Sequence, residues 1–172
     1  AYKAAEILFN SAKIQAESDS ENRNELELAN LKQAIASIAS FSYILQQSNI
    51  YQTAAWGNTD QADFLNQAIE IQTHQTAENL MQALLAIESQ MGRVRLQKWE
   101  PRIIDLDIIF YESEIHTTDF IQIPHPEMQN RAFVLKPLLD LIPNFEHPIL
   151  KQSISQLWEK CPDQLEVSLF VE

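Results

Sequence analysis

Two aspartates stand one residue apart, at Asp105 and Asp107, in the otherwise apolar run IIDLDIIFY that ends at Tyr111. If this run forms a β-strand, alternate side chains share a face, and the two carboxylates project to the same side about 7 Å apart. Like charges so close repel unless a cation lies between them, and carboxylate oxygens suit Mg²⁺. The sequence therefore predicts a magnesium site here; the alternative is that both acids simply face water.

Positive charge is concentrated immediately before this run. Arg93, Arg95, Lys98 and Arg102 lie within ten positions, whereas residues 33–92 contain no lysine or arginine. Arginine binds phosphate through two N–H donors at once, and arginine together with magnesium neutralises charge during phosphoryl transfer. We therefore expect a phosphate-binding loop that closes over a substrate as a lid. The alternative is a solvated loop with chance arginines.

Aromatic and amide side chains indicate a second half of the site. Phe64 and Asn66 share a strand face, where one side chain could stack on a flat heterocycle and the other could bond its edge. Trp56, Trp99 and Phe133 could add further stacking, although an isolated aromatic residue usually belongs to the core.

Three further polar residues are candidates for the functional site. His125, in a Pro-His-Pro turn, could bind a phosphate, and Arg131 lies six positions later and could reach the same anion. A structural role is the alternative for this histidine, because proline fixes φ on both sides of it. Glu88 shares a helix face with Met81 and Leu85, so we expect it to be partly buried.

The bulk composition bounds the class of protein. The chain has 172 residues, 45% of them hydrophobic, so we expect a single domain over 1–172, with an atypical first strand and loop in 1–25. A net charge of −12 and a pI near 4.7 disfavour nucleic acid or an anionic membrane as the main partner. The only glycines are Gly57 and Gly92, which excludes a Walker A loop and a dinucleotide-binding fingerprint. The single cysteine, Cys161, favours a reducing cytoplasm, and we expect a monomer.

The elements that must position these residues follow the order βαββαβ, with a weakly marked first strand. This order predicts an α+β, ferredoxin-like fold in which helices pack on an antiparallel sheet. On the aspartate strand, Ile104, Leu106, Ile108 and Phe110 should form the core face. The expected elements are a helix over 25–40, strands over 41–53 and 64–73, a helix from Thr76 to Gly92, a strand over 103–111, a hairpin over 114–123, a helix over 130–141, a short helix over 154–159 and a last strand over 166–171.

The chain resembles the 6-hydroxymethyl-7,8-dihydropterin pyrophosphokinases, a family of folate-pathway enzymes. The resemblance is carried by the stretches YQTAAWGNTDQADFLNQAIEI (51–71), LLAIESQMGRVR (84–95), WEPRIIDLDIIFY (99–111) and IPHPEMQNRAFVLKPL (123–138). It implies an enzyme that uses ATP and two Mg²⁺ ions, transfers a pyrophosphoryl group to the hydroxymethyl oxygen of the pterin, and releases AMP.

The resemblance also implies roles for individual residues. Asp105 and Asp107 match metal ligands, and Arg93 and Arg102 match the arginines that engage phosphates during transfer. Nucleotide contacts are matched by Trp99, Ile108, His125 and Arg131, to which we add Arg95 and Lys98 of the basic loop as ATP-binding residues. Pterin contacts are matched by Thr53, Ala54, Ala55, Trp56, Phe64, Asn66 and Phe133, with Phe64 and Phe133 on the two sides of the ring.

The chain departs from the family pattern in two places. The family usually carries Gly-Ser-Asn after its first strand; the candidates here are Asn10-Ser11 after EILF and 17–19 after AKIQA. Glu100 stands where a glycine is common. We therefore expect an altered first loop, and a basic loop that is stiffer or shifted.

Two other functions remain open at this point. Another two-metal nucleotidyl-transfer or cyclase domain would explain the aspartates, but not a heterocycle pocket of Phe64, Asn66 and Phe133. A non-catalytic homologue or an RNA-binding domain is the second alternative, and the net charge of −12 argues against RNA.

Overall fold

An antiparallel sheet carries the fold, and the weakly marked first strand lies inside it. The computed structural model describes residues 2–11, 20–53, 64–92 and 103–172. The elements in chain order are β1 (Lys3–Ser11), α1 (Ser20–Ala39), β2 (Tyr43–Gln47), β3 (Tyr51–Thr53), β4 (Phe64–Thr73), α2 (Ala77–Gln90), β5 (Ile104–Tyr111), β6 (His116–Thr117), β7 (Gln122–Ile123), a 3₁₀ turn (Met128–Asn130), α3 (Ala132–Leu141), α4 (Ile154–Lys160) and β8 (Val167–Leu169). The strand order is β5-β1-β4-β3-β8, with β2 also paired to β4. This arrangement confirms the ferredoxin-like α+β prediction.

Apolar side chains cover both faces of the sheet. One face packs against α1 and α2, and the other packs against α3 and α4. Members of the first cluster include Ile7, Phe9, Leu31, Ile38, Leu65, Ile69, Leu84 and Ile108. Members of the second include Leu8, Ala68, Ile109, Phe110, Val134, Leu138 and Leu157. The alternation along β1 and β4 therefore fills two separate cores, which is why so few positions in these strands are exposed.

A β-bulge in β5 overturns one prediction. Ile7 pairs with Ile108 and Glu6 pairs with Phe110, so Ile109 is an extra residue on β5. An extra residue reverses the alternation beyond it. Ile104, Leu106 and Ile108 lie in the first cluster, as expected, but Phe110 lies in the second, and the prediction for it was wrong.

Other boundaries differ at the ends of elements. The strand predicted over 41–53 is two strands, because Ser48 leaves the regular ladder: its N–H donates to the carbonyl of Ala68, and its hydroxyl accepts from the amide of Ala68, each at 2.9 Å. The first helix begins at Ser20 rather than 25, and α3 begins at Ala132 after the 3₁₀ turn. The strand over 64–73 is confirmed.

Helix α2 begins and ends at the predicted signals. The Thr76 hydroxyl accepts from the Asn79 amide at 3.2 Å, which caps the N-terminus. Gly92 follows the helix with φ +99°, and a Cβ there would lie 2.9 Å from Cδ1 of Ile103. Glycine is therefore required by both backbone conformation and space. Within the described ranges, no helix has the length and apolarity that crossing a bilayer demands.

Candidate active site

A cleft of about 330 Å³ brings together residues from segments far apart in the sequence. Asp105 and Asp107 reach it from β5, His125 from the turn before the 3₁₀ segment, and Arg131 and Phe133 from the start of α3. The structure thus places the carboxylates, the histidine and the arginine of the sequence prediction around one space.

Both aspartates lie on the sheet face that packs against α3. In the β1–β5 register, Asp105 is opposite Asn10 and Asp107 is opposite Leu8, which belongs to the second core cluster. Both acids are half-buried. Among the described residues, no three His, Cys, Asp or Glu side chains form a metal-binding group. Two carboxylates fit Mg²⁺, which commonly takes one or two protein carboxylates and completes its shell with water and substrate phosphates.

Glu88 fixes the backbone between the two aspartates. It is only 3% exposed, and its Oε1 accepts a hydrogen bond from the amide of Leu106 at 2.8 Å. Because β5 lies at the end of the strand order, this amide faces away from β1, and a carboxylate from α2 satisfies it. The signal for this role in the sequence is an acid on a helix face that Met81 and Leu85 otherwise make apolar.

His125 is held as a neutral hydrogen-bond donor. Its amide donates to the carbonyl of Ile109 at 3.1 Å. Its Nδ1 accepts from the amide of Glu127 at 3.3 Å, which leaves the ring proton on Nε2. Burial lowers the pKa of His125 below its ordinary value of 6.5; the negative charge of Asp107 opposes this shift, and the positive charge of Arg131 adds to it. At neutral pH the imidazole is therefore uncharged and carries its proton on Nε2, from which it can donate to a ligand.

Arg131 and Phe133 are presented by the first turn of α3. Arg131 is exposed, and its guanidinium lies 6.0 Å from the centroid of the Phe133 ring. The amide of Ala132 donates to Oδ2 of Asp163 at 2.9 Å, which anchors the start of this helix. The guanidinium of Arg131 can therefore reach an anion in the cleft, and the ring of Phe133 gives the cleft an apolar surface beside it.

A buried amide, that of Asn66, lies on the sheet next to Asn10, which lines the cleft. Asn66 is fully buried, and its Nδ2 donates to Oγ1 of Thr53 at 2.8 Å. Its Oδ1 has no hydrogen-bond partner within the described part of the chain. Phe64, which pairs with Thr53 across β3 and β4, is half-buried beside them. A buried amide with an unused acceptor next to an aromatic ring suits the edge of a planar heterocycle.

Asn10 connects these two halves. In the sheet register it is opposite Asp105 on one side and opposite Asn66 on the other. Three polar residues therefore form a row across β5, β1 and β4. Strand β1 runs through EILF and on to Ser11, so Asn10-Ser11 forms the last two residues of this strand. The second candidate, 17–19, lies outside the described residues.

The strand β3 is tied to α3 by a small hydrogen-bond network. The Tyr51 hydroxyl donates to Oδ2 of Asp140 at 2.8 Å, and the Asn49 amide donates to the same oxygen at 3.0 Å. Because β3 ends at Thr53 and α3 carries Phe133, this network connects the two elements that carry the two sides of the candidate heterocycle pocket. Sequence reasoning did not identify it.

Some predicted site residues are not brought into the cleft. The side chain of Ile108 is 1% exposed and packs in the first core cluster, on the opposite face from the aspartates, so only its backbone is left for a ligand contact. Eight further predicted site residues lie outside the described ranges: Ala54, Ala55, Trp56, Arg93, Arg95, Lys98, Trp99 and Arg102.

The fold and the cleft together define an α+β domain whose cleft holds two metal-compatible carboxylates and an arginine, with a heterocycle-compatible amide two strands away from the carboxylates. Comparison with known proteins makes this specific. Residues 20–143 match the family model described as 7,8-dihydro-6-hydroxymethylpterin-pyrophosphokinase (HPPK). The chain belongs to this family, which confirms the resemblance found in the sequence.

Curated relatives agree with this assignment, and a solved structure agrees with the fold. A Synechocystis protein named 2-amino-4-hydroxy-6-hydroxymethyldihydropteridine pyrophosphokinase is 40% identical over 135 residues, which cover 77% of this chain and 69% of that protein. The folic acid synthesis protein fol1 of Schizosaccharomyces pombe is 39% identical over 121 residues, 70% of this chain but only 16% of that protein. A crystal structure of Plasmodium falciparum HPPK-DHPS superposes with a TM-score of 0.69 at 14% identity, over 93% of this chain and 43% of that one, and shows the fold alone.

Proposed function

We propose that this chain transfers a pyrophosphoryl group from ATP to the hydroxymethyl group of 6-hydroxymethyl-7,8-dihydropterin and releases AMP, as a step of folate biosynthesis. Family membership supports this reaction. The structural observation that carries it is that a metal-suited carboxylate, Asp105, and a heterocycle-suited amide, Asn66, lie on the same face of the sheet with one strand between them.

The reaction requires orientation and charge neutralisation more than a strong base. The hydroxymethyl oxygen forms a bond to the β-phosphorus, and the bond from the β-phosphorus to the oxygen shared with the α-phosphorus breaks. AMP leaves with that oxygen, and the hydroxyl proton passes to water. A site for such an in-line transfer holds the two substrates in register and spreads the charge on the phosphates.

We assign the phosphate side to groups around β5. Asp105 and Asp107 would hold Mg²⁺, two ions by the resemblance, which supply charge neutralisation when bound. Neutral His125 would donate a hydrogen bond from Nε2 to a phosphate oxygen of ATP, and Arg131 would donate to a phosphate oxygen from its guanidinium. The remaining proposed ATP and catalytic contacts come from the resemblance: the backbone of Ile108, and Arg93, Arg95, Lys98, Trp99 and Arg102.

We assign the pterin side to the ends of β3 and β4 and the start of α3. Asn66 would bond the edge of the ring, with its orientation set by Thr53. Phe64 and Phe133 would lie against the two ring faces. The resemblance adds Ala54, Ala55 and Trp56.

The wider setting follows from the same assignment. We propose that the chain works in the cytoplasm and as a monomer. Small molecules are its proposed partners, and nucleic acid is not among them, because a net charge of −12 repels a polyanion. In such an acidic chain, the lysines and arginines can bind an anion best when several of them contact the same small ligand.

The test is to incubate the protein with Mg²⁺, ATP and the hydroxymethyl-dihydropterin and to identify the nucleotide product. AMP that appears only with the pterin supports the proposal. ADP would indicate ordinary phosphoryl transfer, and cyclic or polymeric products from ATP alone would indicate a cyclase or nucleotidyl-transfer domain. Binding of ATP without turnover would indicate a degenerate homologue.

A matched pair of variants tests the metal assignment. Asp107→Asn keeps the shape of the side chain but removes its charge, so we expect turnover to fall at least about 100-fold with an unchanged circular dichroism spectrum. Asp119→Asn makes the same change at an exposed position of the β6–β7 hairpin and should leave turnover unaffected. Full activity of Asp107→Asn would refute the role of this carboxylate.

A further inference from the structure

Asn10 is a polar residue in the cleft for which the reaction as described above has no use. It is the penultimate residue of β1 and lines the cleft together with Asp105 and Asp107. Its Oδ1 is shielded from solvent and has no hydrogen-bond partner within the described part of the chain. A buried carbonyl oxygen without a donor is unfavourable, so such an atom calls for an explanation. Asn10 also belongs to one of the two segments that could stand where the family pattern has Gly-Ser-Asn.

The neighbours of Asn10 indicate what kind of ligand atom would reach it. Adjacent strands lie about 4.8 Å apart, so Asn10 is one strand away from Asp105 and one strand away from Asn66. Asn66 likewise has a buried Oδ1 that finds no hydrogen-bond donor among the described residues. Two neighbouring acceptors without donors fit a ligand that presents hydrogen-bond donors along this edge.

The connectivity of the proposed substrate identifies the donor. With the ring edge at Asn66 and the phosphates at Asp105 and Asp107, the group between them is the hydroxymethyl group, because it joins the ring to the oxygen that attacks phosphorus. That group carries an O–H donor. Of the three residues in the row, Asn10 is the one that lies between the two sites.

We propose that Asn10 is a substrate-contacting residue whose Oδ1 accepts a hydrogen bond from the hydroxymethyl O–H of the pterin. This inference rests on the proposed function. The hydrogen bond fixes the direction of the O–H and so turns a lone pair of the oxygen toward the β-phosphorus. An amide carbonyl is not a base, so Asn10 orients the hydroxyl, and the proton leaves to water as the bond to phosphorus forms.

The experiment compares two ligands that differ only in the hydroxyl. Binding of 6-hydroxymethyl-7,8-dihydropterin and 6-methyl-7,8-dihydropterin is measured by fluorescence titration, with Mg²⁺ and α,β-methylene ATP present so that no transfer occurs. The wild-type chain should prefer the hydroxymethyl ligand about tenfold, since the methyl ligand leaves the acceptor unpaired. In Asn10→Leu, which has a similar size and no acceptor, the ratio of the two Kd values should fall to about one.

The control is Asn79→Leu, the same change at an exposed position of α2 outside the cleft, which should keep the wild-type ratio. If Asn10→Leu does not fold, Asn10→Gly, which adds no bulk, should show the same loss of preference. A preference that persists in the Asn10 variants, or a wild type that binds both ligands equally, overturns the role of Asn10 alone. A wild type that binds neither pterin refutes the proposed function, and this inference with it.

Discussion

Replacing Glu6 by glutamine should stabilise the folded chain at neutral pH, and the gain should grow as the pH rises. Glu6 lies in the middle of β1 and is 5% exposed. In the sheet register it is opposite Glu70 on β4 and Phe110 on β5. Burial, and then the negative charges of Glu70 and Glu112, raise the pKa of Glu6 from 4.5 to about 8. The folded chain therefore holds a proton on this side chain at pH values where the unfolded chain has lost it.

The sign and size of the effect follow from linkage. Between about pH 4.5 and pH 8 the folded state binds one more proton than the unfolded state, so the free energy of unfolding falls as the pH rises. Each pH unit in this window corresponds to about 1.4 kcal/mol. From about pH 5 to about pH 7 the wild type should lose on the order of 3 kcal/mol through Glu6 alone. Glutamine is neutral in both states and has no such dependence.

Urea unfolding of the wild type and Glu6→Gln across this pH window measures the effect. The difference between their free energies of unfolding should increase with pH by up to about 1.4 kcal/mol per unit. Glu25→Gln, at an exposed position of α1, should leave the wild-type profile unchanged. Glu70→Gln should shorten the pH window only slightly at its upper end, because burial is the larger cause of the shift. Parallel profiles for the wild type and Glu6→Gln would refute the reasoning, because they would mean that Glu6 ionises alike in both states.

Two further substitutions test how the elements around the site are held. Tyr51→Phe removes the hydroxyl that donates to Asp140 and should lower the free energy of unfolding by about 1 kcal/mol in urea titrations; an unchanged midpoint would mean that the bond adds no stability. Gly92→Ala places a Cβ at φ +99° and 2.9 Å from the Ile103 side chain, so thermal unfolding should show a loss of at least about 1 kcal/mol. A stabilised Gly92→Ala would contradict the strain argument.

The sequence predicts those parts of the fold that depend on local patterns. The strand over 64–73 and the N-cap at Thr76 are determined by alternation and by a capping side chain, and both are confirmed. The bulge at Ile109 could not be predicted, because it exists only in the pairing of β5 with β1. The division of 41–53 into two strands likewise depends on Ser48 bonding to Ala68, twenty residues away.

The same distinction applies to the candidate site. Asp105 and Asp107 are recognisable because both carboxylates lie in one short run of sequence. The role proposed for Asn10 and the hydrogen bond made by Glu88 depend on which residues lie beside them in the fold, so periodicity can indicate burial of Glu88 but cannot reveal its bond to Leu106. Residues joined by long-range strand pairing are thus the ones that sequence reasoning misses.

The position of β5 at the end of the strand order explains why the site assembles there. An edge strand has backbone groups that no neighbouring strand uses. In β5 two of these backbone groups, one before and one after Asp107 in the sequence, form hydrogen bonds with other segments. Glu88 accepts from the amide of Leu106, and the amide of His125 donates to the carbonyl of Ile109. Both contacts hold a segment distant in sequence against the aspartates. In a central strand the same amide and carbonyl would pair with another strand, and neither α2 nor the histidine turn could attach beside the carboxylates.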